Sequence, residues 1–99
     1  MFRHVVVLRW TAEATHEQRS HVMSGLAELP GLIPEIRDYR FGSDAHMSEG
    51  NFDLAIVADF DDVDGYLAYR DNPDHVSLIN ERIRPILADR AAVQHEIEG

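Results

Sequence analysis

Two segments of this chain are apolar on both sides of an extended backbone, and that narrows the folds open to it. From Phe2 to Trp10 the side chains alternate, with Phe2, His4, Val6, Leu8 and Trp10 on one side and Val5 and Val7 on the other. From Phe52 to Phe60 the same period sets Phe52, Leu54, Ile56, Ala58 and Phe60 opposite Ala55 and Val57. A sheet built on these strands has two apolar faces at its centre. With 99 residues the chain has room for one domain (1–99) whose helices cover one of those faces. Each Val left in water on the other forgoes roughly 1.5–3 kcal/mol of burial. A second copy of the same sheet is the simplest cover, which predicts a two-fold homodimer whose sheets close into a barrel.

The segments between supply helices and turns. Thr15 and Gln18 have capping-box spacing and open a helix with apolar positions Val22, Leu26 and Leu29, which Pro30-Gly31 is expected to end. Ile36 to Phe41 reads as a second strand closed by Gly42, followed by a polar loop from Ser43 to Asn51. Asp61 or Asp62 caps a short helix carrying Tyr66, Leu67 and Tyr69, and another carries Val76, Ile79, Ile83 and Ile86, kinked near its end by Pro85. Ala91 to Ile97 is expected as the last strand. The order β-α-β-β-α-β, with a split second helix and an antiparallel sheet, is the ferredoxin-like α+β order.

The split itself bears on chemistry. On one continuous helix Tyr69 and His75 would stand roughly 240° apart, at about 100° per residue, and could not meet. The Asn72-Pro73 step removes that obstacle. Pro73 has no N–H and disfavours a helical Asn72, so one helix stops near Asp71 and the next starts with Asn72 as N-cap and Pro73 in its first position. His75 then lies in a first helical turn, where the partial positive charge disfavours imidazolium and leaves a neutral base near pH 7. Paired with the Tyr69 phenol, it suits proton transfer at an acidic C–H bond, the phenol bonding the enolate oxygen. A structural role is the other reading: His75 bonding a backbone carbonyl and Tyr69 packed as a core aromatic.

Charge and composition exclude several partners and cofactors. Nine basic against eighteen acidic residues give a net charge of -9, which argues against nucleic acid and anionic membranes, both of which select positive surfaces. With no cysteine there is no disulfide, thiolate nucleophile or zinc-thiolate site, and the chain suits a reducing cytoplasm. The run Val5 to Leu8 is too short for a signal-peptide core or a membrane span, so no targeting segment is expected. His16 and His21 miss the i, i+4 spacing of helical metal ligands, and His4, His75 and His95 come from separate elements with no metal motif. Neither a metal nor an organic cofactor is expected.

Arg3 to Leu8 in the first strand, Ile33-Pro34-Glu35-Ile36, Gly42, and above all Tyr69 followed by Pro73-Asp74-His75-Val76 resemble the stress-responsive dimeric α/β-barrel (Dabb) family nearly end to end. The pattern is similar to that of the olivetolic acid cyclase type of polyketide cyclase, which closes a poly-β-keto thioester by an aldol-type condensation without a cofactor. That resemblance implies catalytic roles for His75 and Tyr69, a pocket role for His4, and a hydrophobic small-molecule cavity between the sheet and its helices. By strand parity His4, Val6, Leu8, Leu54, Ile56 and Ala58 would face the cavity, with Val22, Met23, Leu26 and Val76 contributed by helices. Where the cyclase has bulky aromatics on its first helix, Val22, Met23 and Leu26 imply a different pocket shape. In Gln94-His95-Glu96-Ile97 the register is open, and either His95 or Glu96 could face inward. Three functions stay in play: a cyclase-like proton-transfer enzyme, a small-molecule binder without chemistry, and a structural stress-responsive dimer.

Overall fold

In the computed structural model, which describes residues 1–98, the chain runs through β1 (Phe2–Trp10), α1 (His16–Leu32), β2 (Asp38–Ser43), β3 (Leu54–Phe60), α2 (Val63–Asp71), α3 (Pro73–Leu78) and β4 (Leu87–Glu96). A π-helical turn (Ile79–Ile83) and a 3-10 turn (Arg84–Ile86) join α3 to β4. The sheet is antiparallel with strand order β2-β3-β1-β4, the ferredoxin-like arrangement. Among the described residues no helix is long and apolar enough to cross a membrane.

Strand parity holds in the two central strands. Val6 sits opposite Ile56 and Leu8 opposite Leu54, and all four are buried beneath the helices with Ala58 and Phe60. Val5 faces Val57 and Val7 faces Ala55 on the other side of the sheet, where β4 adds Ala91 and a Val93 that is 55% exposed. That second face is therefore apolar and uncovered in the single chain. Towards one end of it Arg3 holds the buried Asp59 carboxylate through two hydrogen bonds of 2.7 and 2.9 Å, which lowers the pKa of Asp59.

Local chemistry sets the helix starts. Thr15 accepts from the Gln18 backbone N–H at 3.1 Å while the Gln18 side chain accepts from the Thr15 N–H at 2.9 Å, so the capping box forms as expected. Asp62, not Asp61, caps α2 by accepting from the Gly65 N–H. Asn72 ends α2 and caps α3, accepting from the Asp74 N–H, with Pro73 in the first position.

Several boundaries differ from expectation. Pro30-Gly31 does not end α1, which continues to Leu32. The proline removes one N–H in the last turn only, and the buried Ile33 closes the helix by donating to the Leu29 carbonyl at 2.9 Å. β2 starts at Asp38 because the Ile36 N–H is spent on a turn to Ile33, and it runs on through Gly42, which pairs with Ala55. Phe52 lies outside β3 and stacks under the Arg9 guanidinium at 4.3 Å. Asp53 turns back instead, its carboxylate accepting from the Trp10 N–H at a register shift in β1. The helix expected through Ile86 tightens and loosens in succession, and Pro85 falls in the 3-10 turn rather than at a kink. β4 begins at Leu87, four residues before the expected Ala91, because the β1 edge offers partners that far back.

Gly25 marks the closest approach of α1 to the α3 side. A Cβ there would stand 2.5 Å from Leu78 Cδ1 and 2.9 Å from Arg82 Nη1, and Leu78 is buried. At an ordinary helical position Gly→Ala gains about 1 kcal/mol. Here the overlap, costing about 1–3 kcal/mol, outweighs it. Urea unfolding of Gly25→Ala is expected to show lower stability than the parent.

Candidate functional site

The helix-facing side of the sheet is not filled. A cavity of about 180 Å³ lies over β1 and β4 and beneath α2, α3 and the π turn, with mostly aliphatic walls and polar groups from His4, Tyr66, Tyr69, Arg70, His75 and Arg90. The Asn72-Pro73 break brings two of these together: the Tyr69 and His75 rings pack with centroids 4.1 Å apart. His4, central in β1, stacks near Tyr66 at 5.0 Å and Tyr69 at 6.3 Å.

Hydrogen bonds assign the protons. His75 Nδ1 is 3.0 Å from the Arg70 carbonyl oxygen, which can only accept, so Nδ1 carries the hydrogen and Nε2 the lone pair. The Gln94 amide nitrogen is 2.8 Å from His4 Nδ1 and can only donate, so the His4 hydrogen sits on Nε2. The site thus combines one imidazole acceptor and one imidazole donor. The Tyr69 hydroxyl lies 3.1 Å from that of Tyr39 on β2, a largely buried residue. With Tyr39 donating, the Tyr69 proton stays available to a third atom.

Burial dominates the electrostatics. It pushes His4 down to about 4, with the positive charge of Arg90 and the nearby His75 adding to the effect. It also lowers His75, assisted by Arg90 and opposed by the Arg70 carbonyl and Asp71. His75 is thus lowered in the direction expected, but by burial and Arg90 where the sequence reading gave the helix N-terminus as the cause. Burial raises Tyr69 to about 12 against the bond from Tyr39, and raises Tyr39 as well. At neutral pH both imidazoles are uncharged and both phenols protonated.

Of the residues expected at the cavity, His4, Val6, Leu8, Leu26, Ile56, Tyr69 and His75 line it. Val22, Met23, Leu54, Ala58 and Val76 do not. Leu54 and Ala58 are buried on β3, which meets the cavity only through Ile56 between them. Val22 is fully buried one turn before Leu26, and Met23 packs against the same solid core. Val76 is 40% exposed, because a helix that turns His75, Leu78 and Ile79 inward turns the residue after His75 out.

The register of β4 settles which residues of Gln94-His95-Glu96 face inward. His95 pairs with Arg3 and faces the outer side, whereas Gln94 pairs with His4 and Glu96 with Phe2 on the inner side. Tyr66 and Arg70 on α2 also join the site without having been expected there, and on β4 the polar residues that the sequence reading missed are Gln94 and Arg90. Starting the last strand at Leu87 would have shown them, since Arg90, Gln94 and Glu96 share one parity. Tyr39 was also legible, because Tyr39 and Phe41 alternate with Arg40. Among the described residues no group of three or more His, Asp or Glu side chains is arranged to hold a metal ion.

Comparison with known proteins matches these features. A family profile described as the stress responsive A/B barrel domain (Dabb) covers residues 2–97. A dimeric ferredoxin-like protein of unknown function from Thermobifida fusca YX is 44% identical, with a TM-score of 0.89 over 97% of this chain and 90% of that one. A dimeric protein of unknown function and ferredoxin-like fold from Bacteroides fragilis is 25% identical, with a TM-score of 0.81 over 97% and 95% of the two chains. The hydroxynitrile lyase of Passiflora edulis shares the fold at 19% identity, with a TM-score of 0.86 over 98% and 93%. No curated protein matches the sequence.

Proposed function

The chain belongs to the stress-responsive A/B barrel domain (Dabb) family, and from that premise we propose that it is a homodimeric, cofactor-independent proton-transfer catalyst acting on a small, largely apolar carbonyl compound. The reaction is of the kind by which a polyketide cyclase closes a poly-β-keto chain. The observation that carries this reading is the His75 tautomer: with Nδ1 committed to the Arg70 carbonyl, Nε2 holds a free lone pair beside the Tyr69 ring. Nε2 removes a proton from the carbon between two carbonyls. The Tyr69 hydroxyl, backed by Tyr39, hydrogen-bonds the carbonyl oxygen as it becomes an enolate, and His4 Nε2–H is a second donor to the substrate. The enolate carbon attacks a second carbonyl, and the protonated His75 returns its proton to the new alkoxide. Aliphatic walls strengthen these interactions by excluding water.

The dimer rests on the uncovered face of Val5, Val7, Ala55, Val57 and Val93, and relatives of this fold described as dimeric support it. The cavity touched by both Tyr69 and His75 favours a ligand-handling protein over a purely structural dimer.

A binder without chemistry would use the same cavity, and proton exchange separates the two. A short 3-oxo acyl thioester in D2O is expected to exchange its C2 hydrogens faster with the protein than in buffer. Saturable binding with exchange at the buffer rate would leave a binding protein. Tyr69→Phe is expected to hold ligand affinity nearly constant while slowing exchange roughly 10²-fold, the usual cost of removing one oxyanion donor. An affinity loss as large as the rate loss would make Tyr69 a binding group only.

A further inference from the structure

We infer that the cavity takes ligands whose apolar body ends in a carboxylate, and that Arg90 at its rim is the residue that holds that group. This deepens the function proposed above and rests on the same cavity. Arg3, Arg37, Arg40 and Arg70 are each held by an aspartate. Arg90 is not: among the described residues its guanidinium has neither an ion-pair nor a hydrogen-bond partner, in a chain with twice as many acidic as basic residues. Its neighbour Asp89 offers no relief. That carboxylate accepts from the Arg90 backbone N–H at 2.8 Å, and alternation along β4 sends the two side chains to opposite faces.

Arg90 is exposed, but its place on the sheet puts it at the cavity rim. It pairs across the sheet with the buried Leu8, on the helix-facing side, and both line the cavity. Its positive charge lowers His4, His75 and Tyr69 alike, as expected of a cation lining the same cavity. A planar fork of donors left open beside aliphatic walls matches an amphiphilic acid: carboxylate on Arg90, apolar body inward against Leu8 and Ile79.

The test is direct binding, independent of turnover. Phenylacetate and its neutral isostere phenylacetamide are titrated at pH 7 and low salt, reading the imidazole NMR signals of His4 and His75. Phenylacetate is expected to bind about tenfold more tightly, the advantage shrinking as salt is added. Arg90→Gln should bring phenylacetate to the affinity of the amide and leave the amide unchanged. Equal affinities in the parent protein would overturn the role of Arg90 while leaving the cavity as a ligand site, and need no variant to fold. A carboxylate preference that persists in Arg90→Gln would do the same. If neither probe moves the His4 or His75 signals, the cavity is not a site for such ligands, and the inference falls with the reading beneath it.

Discussion

Replacing His75 by Ala is expected to lower turnover of a poly-β-keto or comparably enolisable substrate by about 10²–10⁴-fold, the range for loss of a positioned general base. The fold should survive, because His75 is half-buried at the cavity edge and its one hydrogen bond goes to the carbonyl of Arg70, an exposed residue. Circular dichroism of the variant checks that point separately from the rate. The same residue sets the pH profile. His75 must be neutral to take a proton, and its pKa lies below the ordinary imidazole value of 6.5. Activity is therefore full at neutral pH and lost as the pH falls through that lowered value. Tyr69, raised to about 12, keeps its proton throughout the range between. A single acid limb below 6.5, followed by a plateau into the alkaline range, is the expected kcat/KM profile. A limb at or above 6.5 would contradict a buried His75 base, and an activity that persists in His75→Ala would remove it from the mechanism.

A glutamate at Val57 is expected to weaken the dimer about 10³-fold or more. Val57 sits at the centre of the outer sheet face, directly opposite Val5, and two-fold symmetry puts every such position into the interface twice. An unpaired charge buried there costs several kcal/mol per copy, and each 1.4 kcal/mol is a factor of ten in the dissociation constant. Sedimentation or light scattering should show the parent as a dimer of 11.3 kDa chains at micromolar concentration and Val57→Glu as a monomer. Ala68→Glu, on an exposed face of α2, adds the same charge outside the sheet and should leave the dimer intact. Equal behaviour of the two variants would place the interface elsewhere.

Much of this architecture follows from residue order alone. Period-two alternation in Phe2–Trp10 and Leu54–Phe60 determines which side chains face the helices, because adjacent residues on a strand must point opposite ways. The Thr15 and Gln18 pair and the Asn72-Pro73 step likewise act within a few residues, through hydrogen bonds and a fixed φ that no distant contact has to supply. Membership in the Dabb family was equally legible, in the Tyr69 and Pro73-Asp74-His75 pattern.

What the tertiary structure decided are the features that depend on where one element lies against another. Gln94 meets His4 only because β4 pairs with β1 in one particular register, and a shift of one residue would have put His95 there instead. The cavity lies mainly over β1 and β4 and meets β3 only at Ile56, so Arg90 is part of the site while Leu54 and Ala58 are solid core. That outcome is set by how the helices sit across the sheet, which residue spacing does not encode. The same holds for Tyr39 and Tyr69, brought from β2 and α2 to a shared hydrogen bond across 30 residues of chain. Local preferences determine each element's own shape and faces; the protonation and reach of the groups in the cavity arise only once those faces are packed together.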